Sequence, residues 1–357
     1  MSGGVDSSVS AALLKEQGFD VTGVFIKVWQ PDFLPCNWKE ERRDAMRVAA
    51  HLGIPFVTLD LEKEYKQEVV DYMIAEYKKG RTPNPDVMCN RYVKFGGFFD
   101  WAMAQGADYV ATGHYARTEA HNGNHSNNGS HCVLLKGRDD NKDQSYFLWT
   151  LTKEKLAKTL FPVGDIEKPE VRALARKFAL PNAEKKDSQG LCFVGKIDMK
   201  EFLKHFIDEK PGDVLNTDGE TIGHHEGALF YTLGERHGFT ITKKTPDDRP
   251  YFVIAKDNEK NTLTVSNEKH EAVDGEQSTM GPIVYIAQTN WIIGTPDEHK
   301  TYQARVRYRG VLHNVKIRIT SATEAELTFT DSKDVATPGQ SIVVYDGEIC
   351  VGGGIII

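Results

Sequence analysis

The stretch Ser2-Gly3-Gly4-Val5-Asp6-Ser7-Ser8, running directly into a helical pattern, constrains this chain more than any other feature. Two adjacent glycines let backbone approach an anion closely, and the amides of Val5 to Ser8 then point at it from a helix N-terminus. No Gly-Lys-Ser/Thr follows, so the loop is not a Walker A motif. Asp6 cannot face a phosphate without repulsion; it orients either the loop or a Mg²⁺ ion. A Ser-rich helix cap with two flexible glycines is the competing explanation of the same residues.

Such a loop belongs at the carboxyl end of a parallel strand, and the following sequence supplies that context. Val9, Ala12 and Leu13 share one face of a helix that stops near Gly18. Val21 to Trp29 reads as a buried strand, and Ala45, Val48, Ala49 and Leu52 give a second helix at i, i+3, i+4, i+7 spacing. "IPFVTLDL" is the next strand, a helix runs from about Glu62 to Lys79, and Pro83 and Pro85 break it. A further helix is expected from Asn90 to Ala104, then the strand "ADYVATG". Strands alternating with helices imply an α/β domain on a parallel sheet, with ligands beyond the carboxyl ends of the strands. The opening loop, Trp29 and the Gly113–His114 turn should therefore lie on one side.

The polar segment Glu119–His131 reads as a hairpin tip rather than a metal site, despite its histidines. Val171, Leu174, Ala175 and Phe178 mark one more helix face. Beyond about Lys200 the pattern changes to Gly, Asp and short β-rich runs. From about Met280, strands such as "IVYIAQ", "VKIRIT" and "EAELTFT" recur at the spacing of a small barrel or sandwich. The expected organisation is a catalytic α/β domain over 1–198, a small central β-rich domain over 199–278, and a C-terminal β-barrel over 279–357.

Lys plus Arg number 44 against 51 Asp plus Glu, a net charge of −7, so bulk charge lends no support to a nucleic-acid partner. Local patches must carry any such claim. "YQARVRYRGVLHNVKIRIT" supplies one, with Arg305, Arg307, Arg309, Lys316 and Arg318 and no acidic residue. Arg305, Arg307 and Arg309 alternate, so they are expected on one strand face, where Arg and Tyr meet phosphates and splayed bases. A merely solvated face is the alternative. The five cysteines are odd in number and widely spaced, without C-x-x-C, which points to a reducing cytoplasm and away from a disulfide framework or zinc site. No metal-ligand cluster, leader or membrane-length apolar run is apparent. Cys132 and Cys350 sit in strand-like runs and read as core; Cys36 stays undecided.

The opening loop resembles that of the N-type ATP pyrophosphatases. Four further stretches, "GRTPNPDVMCN", "ATGHYAR", "KDQSYFL" and "KKDSQGLCFVG", resemble the tRNA-specific 2-thiouridylase family of bacteria. "PGDV", "YTLGERHG", "VRYRG", "TPGQS" and "GGGII" extend the likeness along the whole chain. The resemblance implies ATP-dependent thiolation of the wobble uridine (position 34) of tRNA: ATP activates the C2 carbonyl as an adenylate, and sulfur arrives from a protein persulfide. It implies ATP contacts from Met1, Ser2, Gly3, Gly4, Val5, Asp6, Ser7, Ser8, Ile26 and Gly113, with Mg²⁺ accompanying the nucleotide. Ile26 stands where relatives often carry Met. Cys192 matches the persulfide carrier, Cys89 its partner, and Asp86 the acid/base group; the two thiols would carry and release sulfur through a disulfide. Asn84, Pro85 and Asp86 match the segment meeting the target base. His114, Lys142, Asp143, Gln144, Arg307, Tyr308 and Gln340 match contacts to tRNA, at its anticodon stem-loop. A persulfide-donating sulfur carrier protein is the implied second partner.

Other N-type pyrophosphatases, such as an amidating ligase, share the loop but need no paired Cys89 and Cys192. A catalytically silent tRNA-binding protein is the remaining alternative. Relatives carry a strand of apolar residues directly before the loop, which this sequence lacks. The expectation is a gap or narrowing in the parallel sheet, with Met1 to Gly4 poorly anchored.

Overall fold

The computed structural model describes residues 1–34, 38–121, 131–187, 198–208, 210–243, 249–267, 283–330 and 336–357. Cys36, Cys192 and the tip of the Glu119–His131 hairpin lie outside them.

Helix α1 (Val5–Glu16) leaves the opening loop and is buried on most of its circumference, with Val9 fully enclosed. Strand β1 (Gly23–Lys27), helix α2 (Trp38–Leu52) and strand β2 (Phe56–Asp60) follow, and β1 pairs with β2 in parallel. The apolar stripe expected of α2, Ala45, Val48, Ala49 and Leu52, is its buried face. Helix α3 covers 62–78, with Lys66–Asp71 wound as a π-helix. Helix α4 covers 85–104, with a π-helical stretch at Cys89–Phe98 broken by a kink at Gly96 (φ −102°, ψ −106°).

The helix expected from Asn90 thus begins at Pro85. Asn84 caps it, its side chain accepting from the Val87 amide (3.3 Å), and Pro85 occupies the first turn, where a missing N–H costs nothing. Proline there starts a helix as readily as it breaks one. Cys89, expected in a loop, is therefore helical and fully buried.

Strand β3 (Val110–Ala111) pairs in parallel with β6 (Thr159–Leu160). The parallel strands of this domain stand as two pairs, β1–β2 and β3–β6. Loose anchoring of Met1 to Gly4 is not observed: the Met1 amine donates to the Val24 carbonyl, and the Asn182 amide donates to the Gly3 carbonyl (2.9 Å). Between β3 and β6 in the chain run the hairpin β4 (Ala116–His121) and β5 (His131–Lys136), a 3₁₀ turn at Ser145–Leu148 and helix α5 (Lys153–Ala157). Helix α6 (Lys168–Lys177) then packs on α1 through Val171 and Ala175.

Helix α7 (Met199–Lys204) opens the central region. Its sheet runs in the order β10 (Phe252–Asp257), β11 (Thr262–Ser266), β7 (Gly212–Leu215), β8 (Thr221–His225), β9 (Thr240–Ile241). Phe33, beyond β1, stacks on His205 at 3.7 Å and joins this region to the first domain. The C-terminal strands β12 (Ile283–Trp291), β13 (Tyr302–Arg305), β14 (His313–Ser321), β15 (Glu324–Phe329), β16 (Ser341–Asp346) and β17 (Ile349–Ile356) pair antiparallel. Because β12 pairs with both β15 and β17, they close into a barrel. Alternate inward residues, including Val284, Ile286, Val315, Ile317 and Leu327, fill it.

The barrel is not a separate appendage. Strand β5 adds to β17, with Leu135 opposite Ile349 and Leu134 opposite Cys350, so the hairpin of the α/β domain extends the barrel wall. Arg117 secures the junction through Glu348 (2.7 Å).

The Arg305, Arg307, Arg309 row expected on one strand face is broken. Strand β13 ends at Arg305, Val306 is buried, and Arg307 to Arg309 form a turn in which Arg309 has φ +59°. Arg307 and Arg309 are exposed, while Arg305 points inward to Asp143 at 3.1 Å. Alternation fails because the strand stops where the turn begins.

Candidate active site

No side chain caps α1 at Gly4, so the amides of Val5, Asp6 and Ser7 have no intrahelical acceptor. Gly3 has φ +76°, and a Cβ there would lie 2.5 Å from the Glu41 carbonyl oxygen, so only glycine fits. A Cβ on Gly113 would lie 2.7 Å from the Ser7 nitrogen. The turn after β3 therefore lies directly on the start of α1, and Ile26 is buried on β1. The loop's hydroxyls shape it locally: Ser8 and Ser7 donate to the Gly4 carbonyl at 2.9 and 3.1 Å, and the Ser2 amide donates to Ser7 Oγ. Asn182 bridges the loop from outside, donating to the Gly3 carbonyl and to Ser8 Oγ (3.0 Å).

Asp6 orients the loop. Its Oδ1 accepts from the Tyr115 hydroxyl (2.8 Å) and from Lys168 Nζ (2.6 Å). Lys168 also reaches Asp187 (2.9 Å), which Lys142 (2.8 Å) and Arg172 (2.6 Å) contact as well. Although burial disfavours its charge, the Lys142 and Lys168 ammonium groups hold the Asp187 carboxyl down to about 2. Three cations thus gather beside unpaired helix amides, an arrangement suited to a polyphosphate. Among the described residues no group of three His, Cys, Asp or Glu is placed to hold a metal ion.

Asp86, Cys89 and Asn90 lie at i, i+3 and i+4 of α4 and share a face. Asp86 is half-buried and Cys89 is buried. Asn90 donates to the Phe147 carbonyl (3.1 Å), and the Tyr146 hydroxyl, donating to the Ser341 carbonyl (2.8 Å), also meets the Asn84 side chain. The barrel grips the same segment. Gln340 donates to the carbonyls of Thr82 (2.9 Å) and Pro83 (3.3 Å), and the Thr82 amide donates to the Pro338 carbonyl. Tyr308 sits 4.4 Å from the Phe147 ring, and the Arg309 guanidinium lies 5.2 Å from the Tyr308 ring centroid. Residues 84–90, 144–148, 305–309 and 340, remote in sequence, meet in one place.

This assembly is denser than the sequence implies. Asp143, expected at an RNA surface, is buried and accepts from the Gly137 and Ser145 amides (3.0 and 3.1 Å) as well as from Arg305. Gln144 is locked to the Tyr115 backbone in both directions. His114 is buried, with Nδ1 on Thr112 Oγ1 (2.8 Å) and Nε2 facing Lys94 (3.3 Å). Burial, and then the Lys94 charge, hold its pKa well below the usual imidazole value, so the ring is neutral. Lys142, expected at the same surface, is half-buried with its ammonium on Asp187. Cys132 and Cys350 lie in strands as expected, and burial pushes both thiols up, so neither is a ready nucleophile.

Comparison with known proteins bears on this geometry. Residues 1–196 match a family model described as a tRNA methyl transferase HUP domain, 200–267 a tRNA methyl transferase PRC-barrel domain, and 283–356 an aminomethyltransferase beta-barrel domain. The tRNA-specific 2-thiouridylase MnmA of Bacillus subtilis (strain 168) is 43% identical over 367 residues, covering 100% of this chain and 93% of the relative. The protein of the same name from Thiobacillus denitrificans is 44% identical over 360 residues, covering 100% and 98%. That from Enterococcus faecalis is 44% identical over 360 residues, covering 100% and 93%. The chain belongs to the tRNA-specific 2-thiouridylase family.

The HUP domain of this family implies ATP use. Sequence reading overlooked Asn182, Lys168 and Arg172, and gave Asp187 no role although it lies within "KKDSQGLCFVG". One signal for Lys168 and Arg172 was available: "KPEVR" starts an amphipathic helix with cations at i and i+4. Asn182 had none, because its partners Gly3 and Ser8 are far away in the chain. Among the described residues, no helix is long and apolar enough to cross a membrane.

Proposed function

We infer that this protein is a tRNA-uridine 2-sulfurtransferase, thiolating the wobble uridine at position 34 with ATP as activating substrate. The observation that supports this reading is that Tyr115 ties the opening loop, through Asp6, to the 144–147 turn, whose Phe147 carbonyl accepts from Asn90 on the Asp86–Cys89–Asn90 helix face. The amides of Val5 to Ser7 and the cations beside them favour the triphosphate, and Mg²⁺ travels on the nucleotide, as it does where few carboxylates are offered. Adenylation of the uridine O2 turns a poor leaving group into AMP and releases pyrophosphate.

Sulfur comes from a persulfide on Cys192, delivered by a sulfur carrier protein. Its terminal sulfur attacks C2, AMP leaves, and a disulfide then joins Cys192 to the base. The Cys89 thiolate attacks Cys192 Sγ, releasing the 2-thiouridine and leaving a Cys89–Cys192 disulfide that an external thiol reduces. Asp86, one helical turn before Cys89, takes the proton. The exposed Arg307 and Arg309, with Tyr308 between them, contact the anticodon stem-loop, supported by Lys142 and the Asn84–Pro85 segment. His114, Asp143, Gln144 and Gln340 act by holding that surface in shape. The protein works in the cytoplasm, where its tRNA substrate is.

The test is pyrophosphate exchange into ATP with and without tRNA, together with mass analysis of position 34 in cells lacking the gene. Exchange that requires tRNA, and loss of 2-thiouridine restored by the gene, support the reading. Exchange indifferent to tRNA, or unchanged wobble uridine, would overturn it.

A further inference from the structure

Lys142, Lys168 and Arg172 form one anion seat on the rim of the phosphate loop. Lys168 ties it to the loop through Asp6 (2.6 Å). Asp187 fills it, accepting from Lys142 on Oδ2 and from Lys168 and Arg172 on Oδ1 at 2.6 to 2.9 Å. A carboxylate and a phosphate present the same kind of oxygen acceptor to such donors. The cations carry three positive charges against two negative ones from Asp6 and Asp187, which leaves too little for a polyphosphate unless one carboxylate withdraws. Asp6 is further held by Tyr115 (2.8 Å), whereas Asp187 is held by the cations that the phosphates would need.

We propose that Asp187 is an internal competitor for the pyrophosphate moiety of ATP: the β- and γ-phosphates take Lys142, Lys168 and Arg172 from it on binding. The proposal rests on the nucleotide reading above. Arg172 also donates to the carbonyls of Ala183 and Lys185, so the seat controls the whole 183–187 segment. That segment stands just before Cys192 in the sequence, and nucleotide occupancy is thereby felt on the stretch that leads to the sulfur carrier.

The experiment titrates inorganic pyrophosphate and, separately, AMP into the full chain by calorimetry, without tRNA. Asp187→Asn keeps the shape and removes the competing charge, so it should bind pyrophosphate about tenfold tighter, within the usual range of coupling between two ligands. Lys168→Met and Arg172→Met should bind it at least about tenfold more weakly. AMP, which lacks the competing phosphates, should bind all forms alike and reports that the site is folded. If Asp187→Asn binds pyrophosphate no tighter while AMP binding holds, Asp187 is a fixed organiser of the cations and the proposal fails. Should that variant not fold, hydrogen exchange on the wild-type chain decides. Pyrophosphate should speed exchange across 183–187, and slowed or unchanged exchange overturns the competition. Failure of both AMP and pyrophosphate to bind any form would instead sink the nucleotide reading itself.

Discussion

Arg305 separates a structural from an RNA-binding role most sharply. Its guanidinium is 12% exposed and Asp143 is 1% exposed, at 3.1 Å, and the same guanidinium lies 5.6 Å from the Tyr345 ring centroid. Arg305→Met keeps the length of the side chain and removes the charge. Asp143 would then retain the Gly137 and Ser145 amides and the field of Lys136 but lose its ion-pair partner. Removing one partner of a buried pair costs about 3–5 kcal/mol, most of it from the uncompensated charge left behind. The two amide bonds offset part of this, so the lower end is expected. Urea unfolding of the full chain should show an earlier transition, and Arg305→Met with Asp143→Asn should recover part of the loss, as in a double-mutant cycle. Below that transition, tRNA affinity should stay within about threefold of wild type, a difference under 1 kcal/mol. A variant that unfolds like wild type yet loses tRNA affinity would show that Arg305 contacts RNA and that the inward ion pair contributes little.

Three further outcomes follow from the same geometry. Arg307→Ala with Arg309→Ala should weaken tRNA binding, lower its salt slope by about two, and leave ATP binding untouched; unchanged affinity at low salt would make this turn a solvated surface. Cys89→Ser and Cys192→Ser should each abolish thiolation in a single-turnover assay while tRNA still binds, and full sulfur transfer by either would end the two-thiol scheme. Because burial depresses the His114 pKa, the unfolded chain binds more protons than the folded one below the ordinary value of 6.5. Stability should therefore fall with decreasing pH from that point, by up to about 1.4 kcal/mol per unit for this group. His114→Gln should flatten the decline in melting measured between pH 7 and pH 5, with His225, also depressed by burial, leaving a residual slope.

Local signals in the chain were enough for the α/β domain, the opening loop running into its helix and the closing β-barrel. Each is written in residues close together: the glycines and hydroxyls of Ser2–Ser8, the stripe Ala45–Leu52, the alternation of Val315 and Ile317. The roles expected of Cys89, Cys192 and Asp86 rest on resemblance, since a buried cysteine alone looks like core. Tertiary structure decided the rest. Only the fold shows that Pro85 starts a helix under an Asn84 cap, because proline carries the same local meaning at a break and at a first turn. Only the fold turns Arg305 inward onto Asp143, 162 positions away, and joins β5 to β17. Asn182 and Lys168 reach the opening loop, and Asp187 reaches Lys168, for the same reason. Such contacts depend on where distant elements pack, and periodicity, which is a property of one element, carries no record of its neighbours.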